Sequence, residues 1–165
     1  MRAVVILALA LAGPAMAQDG KPSFDADLVD ACLAQNPDAP QSCAGKASDA
    51  CMDTEGGYST VGMGYCLAQE LDHWDGLLND AYGKLLAQSK AADAEMDDLG
   101  SAAPKQAPLL QQMQREWIAF RDAACSYEGS RWAGGTGAGP AGTQCMMIQT
   151  ARQYLWLDAY LDDGR

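Results

Sequence analysis

Glu70 and His73 stand three residues apart in a stretch whose spacing predicts helix. One helix face would therefore carry a carboxylate and an imidazole. That is half of a carboxylate-bridged di-metal site. A complete site needs a second Glu-x-x-His on another helix, and His73 is the only histidine in the chain. The metal reading lacks its ligands, and His73 reads as an exposed helix residue. A nucleophilic triad fails for the same reason, since Ser59, Thr60 or Thr143 would need that one imidazole as base. Carboxylate pairs for glycoside chemistry are not marked either. With 22 Asp and Glu, a pair at suitable spacing arises by chance. No metal, cofactor or catalytic residue is expected.

The polar residues that share helix faces say more. Asp75, Asn79 and Tyr82 recur at intervals of four and three, beside Trp74 and Leu78. Gln114, Trp117 and Arg121 share a face by the same arithmetic on a later helix, and Arg152 lies on the last one. A carboxylate opposite a guanidinium is the pairing that makes burial of both tolerable. We expect Asp75 to meet Arg121 or Arg152 between helices, with Asn79 and Gln114 completing the hydrogen bonds. Such a network either fixes helix register or floors a groove. The register reading is preferred, because buried charge without a partner is costly.

The elements that would position these residues are all helical. Met63, Leu67, Leu71, Trp74, Leu78, Ala81 and Leu85 step by four and three, an apolar seam. It predicts one long helix, capped by Ser59 or Thr60, running to about Ala94 or beyond. Gly76 and Gly83 lie inside it, allowing either a close crossing or a tolerated defect. Asp93, Glu95, Asp97 and Asp98 read as its solvated end. Leu109 to about Tyr127 predicts the next helix, and about Gln144 to Asp162 the last. Between them, Gly129 to Gln144 is too rich in glycine for helix or strand and reads as a long loop, the kind that often carries function. Upstream, Asn36-Pro37-Asp38-Ala39-Pro40 separates two short helical candidates, Asp25 to Gln35 and Gln41 to Asp53. No alternating strand pattern occurs. The expected fold is all-α: a three-helix core with an N-terminal helical hairpin, stapled by disulfides.

The first residues, MRAVVILALALAGPAMA, hold one cation, an apolar run and a small-x-small end. They read as a signal peptide over residues 1–17, too short to span a membrane. Gln18, not a cysteine, follows, so no lipid or membrane anchor is expected after cleavage. The expected location is periplasmic or secreted. The hairpin would occupy residues 18–58 and the main helical domain 59–165. The formal charge of −11 argues against nucleic acid and favours a basic partner or simple solubility. Six cysteines remain: Cys32, Cys43, Cys51, Cys66, Cys125 and Cys145. An even number in an exported chain implies bridges, although six allow 15 pairings. Neighbour pairs, Cys32 with Cys43, Cys51 with Cys66 and Cys125 with Cys145, are suggested because each flanks a segment rich in Pro, Gly or polar residues.

Several of these residues together form a pattern. Asp75-x-x-Leu78-Asn79-x-x-Tyr82 is one part, and Gln114-x-x-Trp117-x-x-x-Arg121-x-x-x-Cys125 a second. A glycine-rich loop leading to Cys145, Thr150-x-Arg152 and Leu155 is the third, with Met63-x-x-Cys66 ahead of them. This resembles the LprI-like domain family, named after a mycobacterial lysozyme inhibitor, over about Cys51 to Leu161. The resemblance implies an exported, helical, disulfide-bonded domain and, through the namesake, lysozyme inhibition. The namesake type is a lipoprotein; this chain lacks the lipidation cysteine. The expected function is binding by protein–protein contact, with lysozyme or another basic envelope or secreted protein as partner. Arg131 and Trp132, in the loop, are the candidate contact residues, since Arg and Trp are favoured interface anchors. The alternatives are a structural domain of the cell envelope and, third, a peptidoglycan-acting enzyme needing Asp75 or Glu70 in an open pocket.

Overall fold

The computed structural model describes residues 21–162. The expected signal peptide, residues 1–17, lies outside them. Five α-helices occur among the described residues: α1 (Asp27–Gln35), α2 (Lys46–Met52), α3 (Thr60–Asp98), α4 (Gln106–Ser130) and α5 (Ala138–Asp162), with a 3-10 turn at Pro40–Cys43. There is no strand among them, so the all-α expectation holds. The six cysteines form the three neighbour pairs, Cys32–Cys43, Cys51–Cys66 and Cys125–Cys145, and none is free.

Helix α3 is the spine. It has 39 residues, about 58 Å at helical rise. Ser59 starts it by accepting the Gly62 N–H at 2.9 Å, which satisfies one of the donors a helix start leaves open. Leu67, Trp74, Leu78, Ala81 and Leu85 of the seam are buried. They serve two clusters. One joins Leu67 and Trp74 to Val29, Cys43 and Ala47 from the N-terminal part and to Met147 and Ala151 of α5. The other joins Leu78, Ala81 and Leu85 to Leu110 of α4 and Leu157 of α5. The hairpin therefore shares a core with α3 and α5, while α4 packs in the second cluster.

Three boundaries differ from expectation. Residue 45 breaks the second short segment: Gly45 has φ +102°, a left-handed conformation that glycine adopts freely. A 3-10 turn therefore precedes α2. At the acidic end of α3, Glu95, Asp97 and Asp98 are exposed as expected, whereas Asp93 is a cap for α4. Asp93 accepts the N–H groups of Gln106 and Ala107 at 2.6 and 2.9 Å, and Lys105 bonds Asp97 and the Asp93 carbonyl. The long loop shrinks to residues 131–137, because α4 persists to Ser130 and α5 begins at Ala138. Pro140 falls in the first turn of α5, where a missing N–H costs nothing. The Cys125–Cys145 bridge ties the two helix ends together.

Gly76 and Gly83 prove to be defects, not crossing points. A methyl group at either would meet nothing within 4 Å, and both are exposed. Gly83→Ala and Gly76→Ala should each raise the unfolding free energy by about 1 kcal/mol, measurable as a higher urea midpoint with unchanged slope. Gly62 is the opposite case. Its Cβ would lie 2.1 Å from the Gly56 carbonyl oxygen, so α3 and the preceding turn can touch only without a side chain there.

Candidate functional site

The polar residues sort into internal ties and one exposed corner. Glu70 is the most deeply buried charge, with 0% exposure. Its two oxygens accept the N–H of Gly45 at 2.6 Å, the N–H of Ser48 at 2.7 Å and the indole N–H of Trp74 at 2.9 Å. The first two donors belong to the start of α2, so the carboxylate faces open amides and the positive end of the helix dipole. Glu70 is thus a clasp between α2 and α3, closed to any substrate. His73, one turn away, is directed to α1 and meets Asp30 at 2.9 Å. The two residues of the Glu-x-x-His pair serve different helices.

Nearby Asp49 reports the local negative potential. Burial raises its carboxyl above the usual range, the Glu70 charge adds to this, Lys46 opposes it and Asp53 reinforces it. A raised folded-state value means the folded chain binds this proton more tightly than the unfolded chain. Stability from this group is therefore lost as pH rises above the ordinary Asp value of about 3.9. Asp49→Asn should accordingly stabilise the protein at pH 7, and the gain should vanish toward pH 3. Melting temperatures of both proteins across that interval check it.

The carboxylate–guanidinium lock expected between helices is not formed. Asp75 instead accepts from Asn79 at 2.9 Å within α3. Arg121 is held on its own helix: it bonds Asp122 at 3.0 and 2.9 Å and lies 4.9 Å above the Trp117 ring. A neighbouring carboxylate and an aromatic face satisfy the guanidinium locally, so no partner from α3 is required. Arg152 is exposed and makes no ion pair among the described residues. Between α4 and α5 the buried polar contact is neutral. Gln153 of α5 donates to Gln114 of α4 at 3.0 Å, with both side chains buried. Gln114 was marked by the sequence; its partner was not. Tyr82 and Trp117 pack against the second core cluster. Thr150 is fully buried, its hydroxyl without a partner among the described residues.

The exposed corner lies where α4 turns into α5. Two grooves flank the Cys125–Cys145 bridge. The larger, about 580 Å³, runs past Arg121, Ser126, Gly139 and Thr143, with Cys125 in its wall. The smaller, about 320 Å³, is lined by Glu128, Trp132, Gln144, Ile148, Gln149 and Arg152, with Cys145 in its wall. Trp132 is 51% exposed but not loose. A Cβ on Gly137 would lie 2.4 Å from its six-membered ring, so that glycine leaves the space the indole occupies. Arg131 bonds Glu128 at 3.0 Å, and Ala133 and Gly134 both turn with positive φ. The corner thus holds an Arg and a Trp outward on a disulfide-tied frame.

The family description "Lysozyme inhibitor LprI" matches residues 51–157, about two thirds of the chain. The chain belongs to the lysozyme inhibitor LprI family. It is 25% identical over 156 residues, covering 93% of each chain, to an uncharacterised 17.7 kDa protein in the puhA 5' region of Rhodobacter capsulatus. It is 31% identical over 78 residues to an uncharacterised protein of Rhizobium meliloti (strain 1021), covering 47% of this chain and 56% of that one. No solved structure matches it. The LprI match begins at Cys51, so α1 and most of α2 lie ahead of it although they share the core.

Proposed function

We propose that this chain is an exported binding protein of lysozyme-inhibitor type, acting by protein–protein contact in the periplasm or outside the cell. The LprI match across the helical core carries the reading. Three disulfides suit an oxidising compartment. The net charge of −11 would speed encounter with a strongly basic enzyme. The contact surface is the α4–α5 corner. Arg131 projects there with 61% of its side chain exposed, beside Trp132, and a guanidinium so placed suits the carboxylates of a sugar-cleaving cleft. Glu70, the best-marked carboxylate for an enzyme of peptidoglycan, is sealed inside the fold.

The test is lysozyme activity on cell walls in the presence of purified mature protein, with direct binding measured alongside. Inhibition at micromolar concentration is expected, reduced at least tenfold in Arg131→Ala. Full lysozyme activity at micromolar excess, with no complex detected, rejects the reading.

A further inference from the structure

The smaller groove at the α4–α5 corner has its own chemistry. Its wall carries one aromatic ring, two primary amides, one guanidinium and one carboxylate: Trp132, Gln144, Gln149, Arg152 and Glu128. We propose that this groove binds a saccharide, with one pyranose ring stacked on Trp132 and its hydroxyls held by Gln149, Arg152 and Glu128.

The match is one of complementary surfaces. A pyranose presents C–H bonds on a face and hydroxyls around its rim, each able to donate and to accept. The indole ring gives the C–H face a flat apolar partner. The amides of Gln144 and Gln149 both donate and accept, Arg152 donates only, and Glu128 accepts only, so the set answers both halves of a hydroxyl. Arg152 and Glu128 are of opposite sign and Glu128 also pairs with Arg131, so the groove is not acidic on a chain that is otherwise strongly so. A neutral ligand suits it better than a cation. At about 320 Å³ it is at the small end of ligand sites, the scale of a short oligosaccharide's one or two units.

The groove is also preformed. Trp132 is fixed at Gly137, and backbone bonds from Trp132 N–H to the Gly129 carbonyl and from Gly135 N–H to the Trp132 carbonyl, 3.2 and 2.8 Å, set its position. The remaining polar groups stand on α4 and α5, whose ends are bridged by Cys125–Cys145. Little ordering cost is left for a ligand to meet. A half-exposed Trp fixed in this way contributes little to the core, since neither buried cluster includes it.

This proposal goes beyond the lysozyme reading and does not rest on it. It gives apparent inhibition a second origin, because a chain that coats the glycan would slow lysozyme without touching it. The experiment titrates the intact, oxidised mature protein with the N-acetylglucosamine tetramer and, in parallel, with cellotetraose, following intrinsic tryptophan fluorescence and heat. Saturable binding of at least one sugar is expected, weakened tenfold or more by Trp132→Ala and by Arg152→Ala, with Trp132→Phe keeping most of it. Preference for the first sugar assigns the groove to amino-sugar glycans, and equal binding to pyranoses in general. Circular dichroism confirms that each variant is folded. No saturation with either sugar, or undiminished affinity in folded Trp132→Ala, overturns the proposal. Lysozyme capture without sugar binding overturns it too, while leaving the inhibitor reading intact. Sugar binding without a lysozyme complex does the reverse.

Discussion

Glu70→Ala will lower the unfolding free energy by about 3 kcal/mol or more, and the melting temperature by on the order of 10 °C. The magnitude follows from what the side chain leaves behind. Three N–H donors, from Gly45, Ser48 and Trp74, converge on its two oxygens, and the site is closed to water. Deletion strands all three, at about 1–3 kcal/mol for each one that no water reaches, and opens a cavity as well. Glu70→Gln separates the causes. It keeps the volume but replaces one accepting oxygen with an N–H₂ group that faces other donors. It should therefore lose nearly as much stability as the alanine variant. Urea unfolding of the oxidised protein measures both. Equal stability of Glu70→Gln and the natural chain would mean that volume, not the carboxylate, holds α2 to α3.

Glu70 also shows where sequence reading ends. Two of its three partners are backbone amides 25 and 22 residues earlier, and backbone donors carry no residue signature. The visible neighbour, His73, offered only half of a metal motif, set aside for want of a second histidine, because side-chain spacing is what a sequence displays. By contrast, the apolar seam of α3, the Ser59 cap and the neighbour pairing of cysteines were all legible, being local in the chain. The glycine-rich segment misled in a specific way. Gly139 and Gly142 are poor helix formers, yet α5 extends through them, because the Cys125–Cys145 bridge and packing against α4 override propensity. Arg121 misled through its type: a guanidinium on a core helix suggests a buried partner, while Asp122 and the Trp117 ring satisfy it on its own helix. At the corner, Arg131 and Trp132 were picked out by residue type. The groove that joins Trp132 to Arg152 required the fold, since 20 residues and a reversal of direction separate the two.

The second large effect is expected from removing the Cys125–Cys145 bridge as a pair of alanines. The bridge closes a separation of 20 residues, and loop-closure entropy places its stabilisation at about 3 kcal/mol. Most of that acts on the unfolded chain, so the far end of α3 should be unaffected in structure while the whole protein melts on the order of 10 °C lower. The local consequence is different in kind. Residues 131–137 are short, and both flanking helix ends are glycine-containing, so the bridge is the main covalent restraint holding α4 and α5 together at the corner. Without it, hydrogen exchange should quicken first at the end of α4 and the start of α5, well below the global transition. Binding at the corner, of lysozyme or of saccharide, should weaken by more than the fraction unfolded explains, because a preformed Trp132 would then have to be ordered on contact. Fast exchange spread evenly over all five helices would instead mean that the bridge sets only the entropy of the unfolded chain, and that the corner keeps its shape through packing alone.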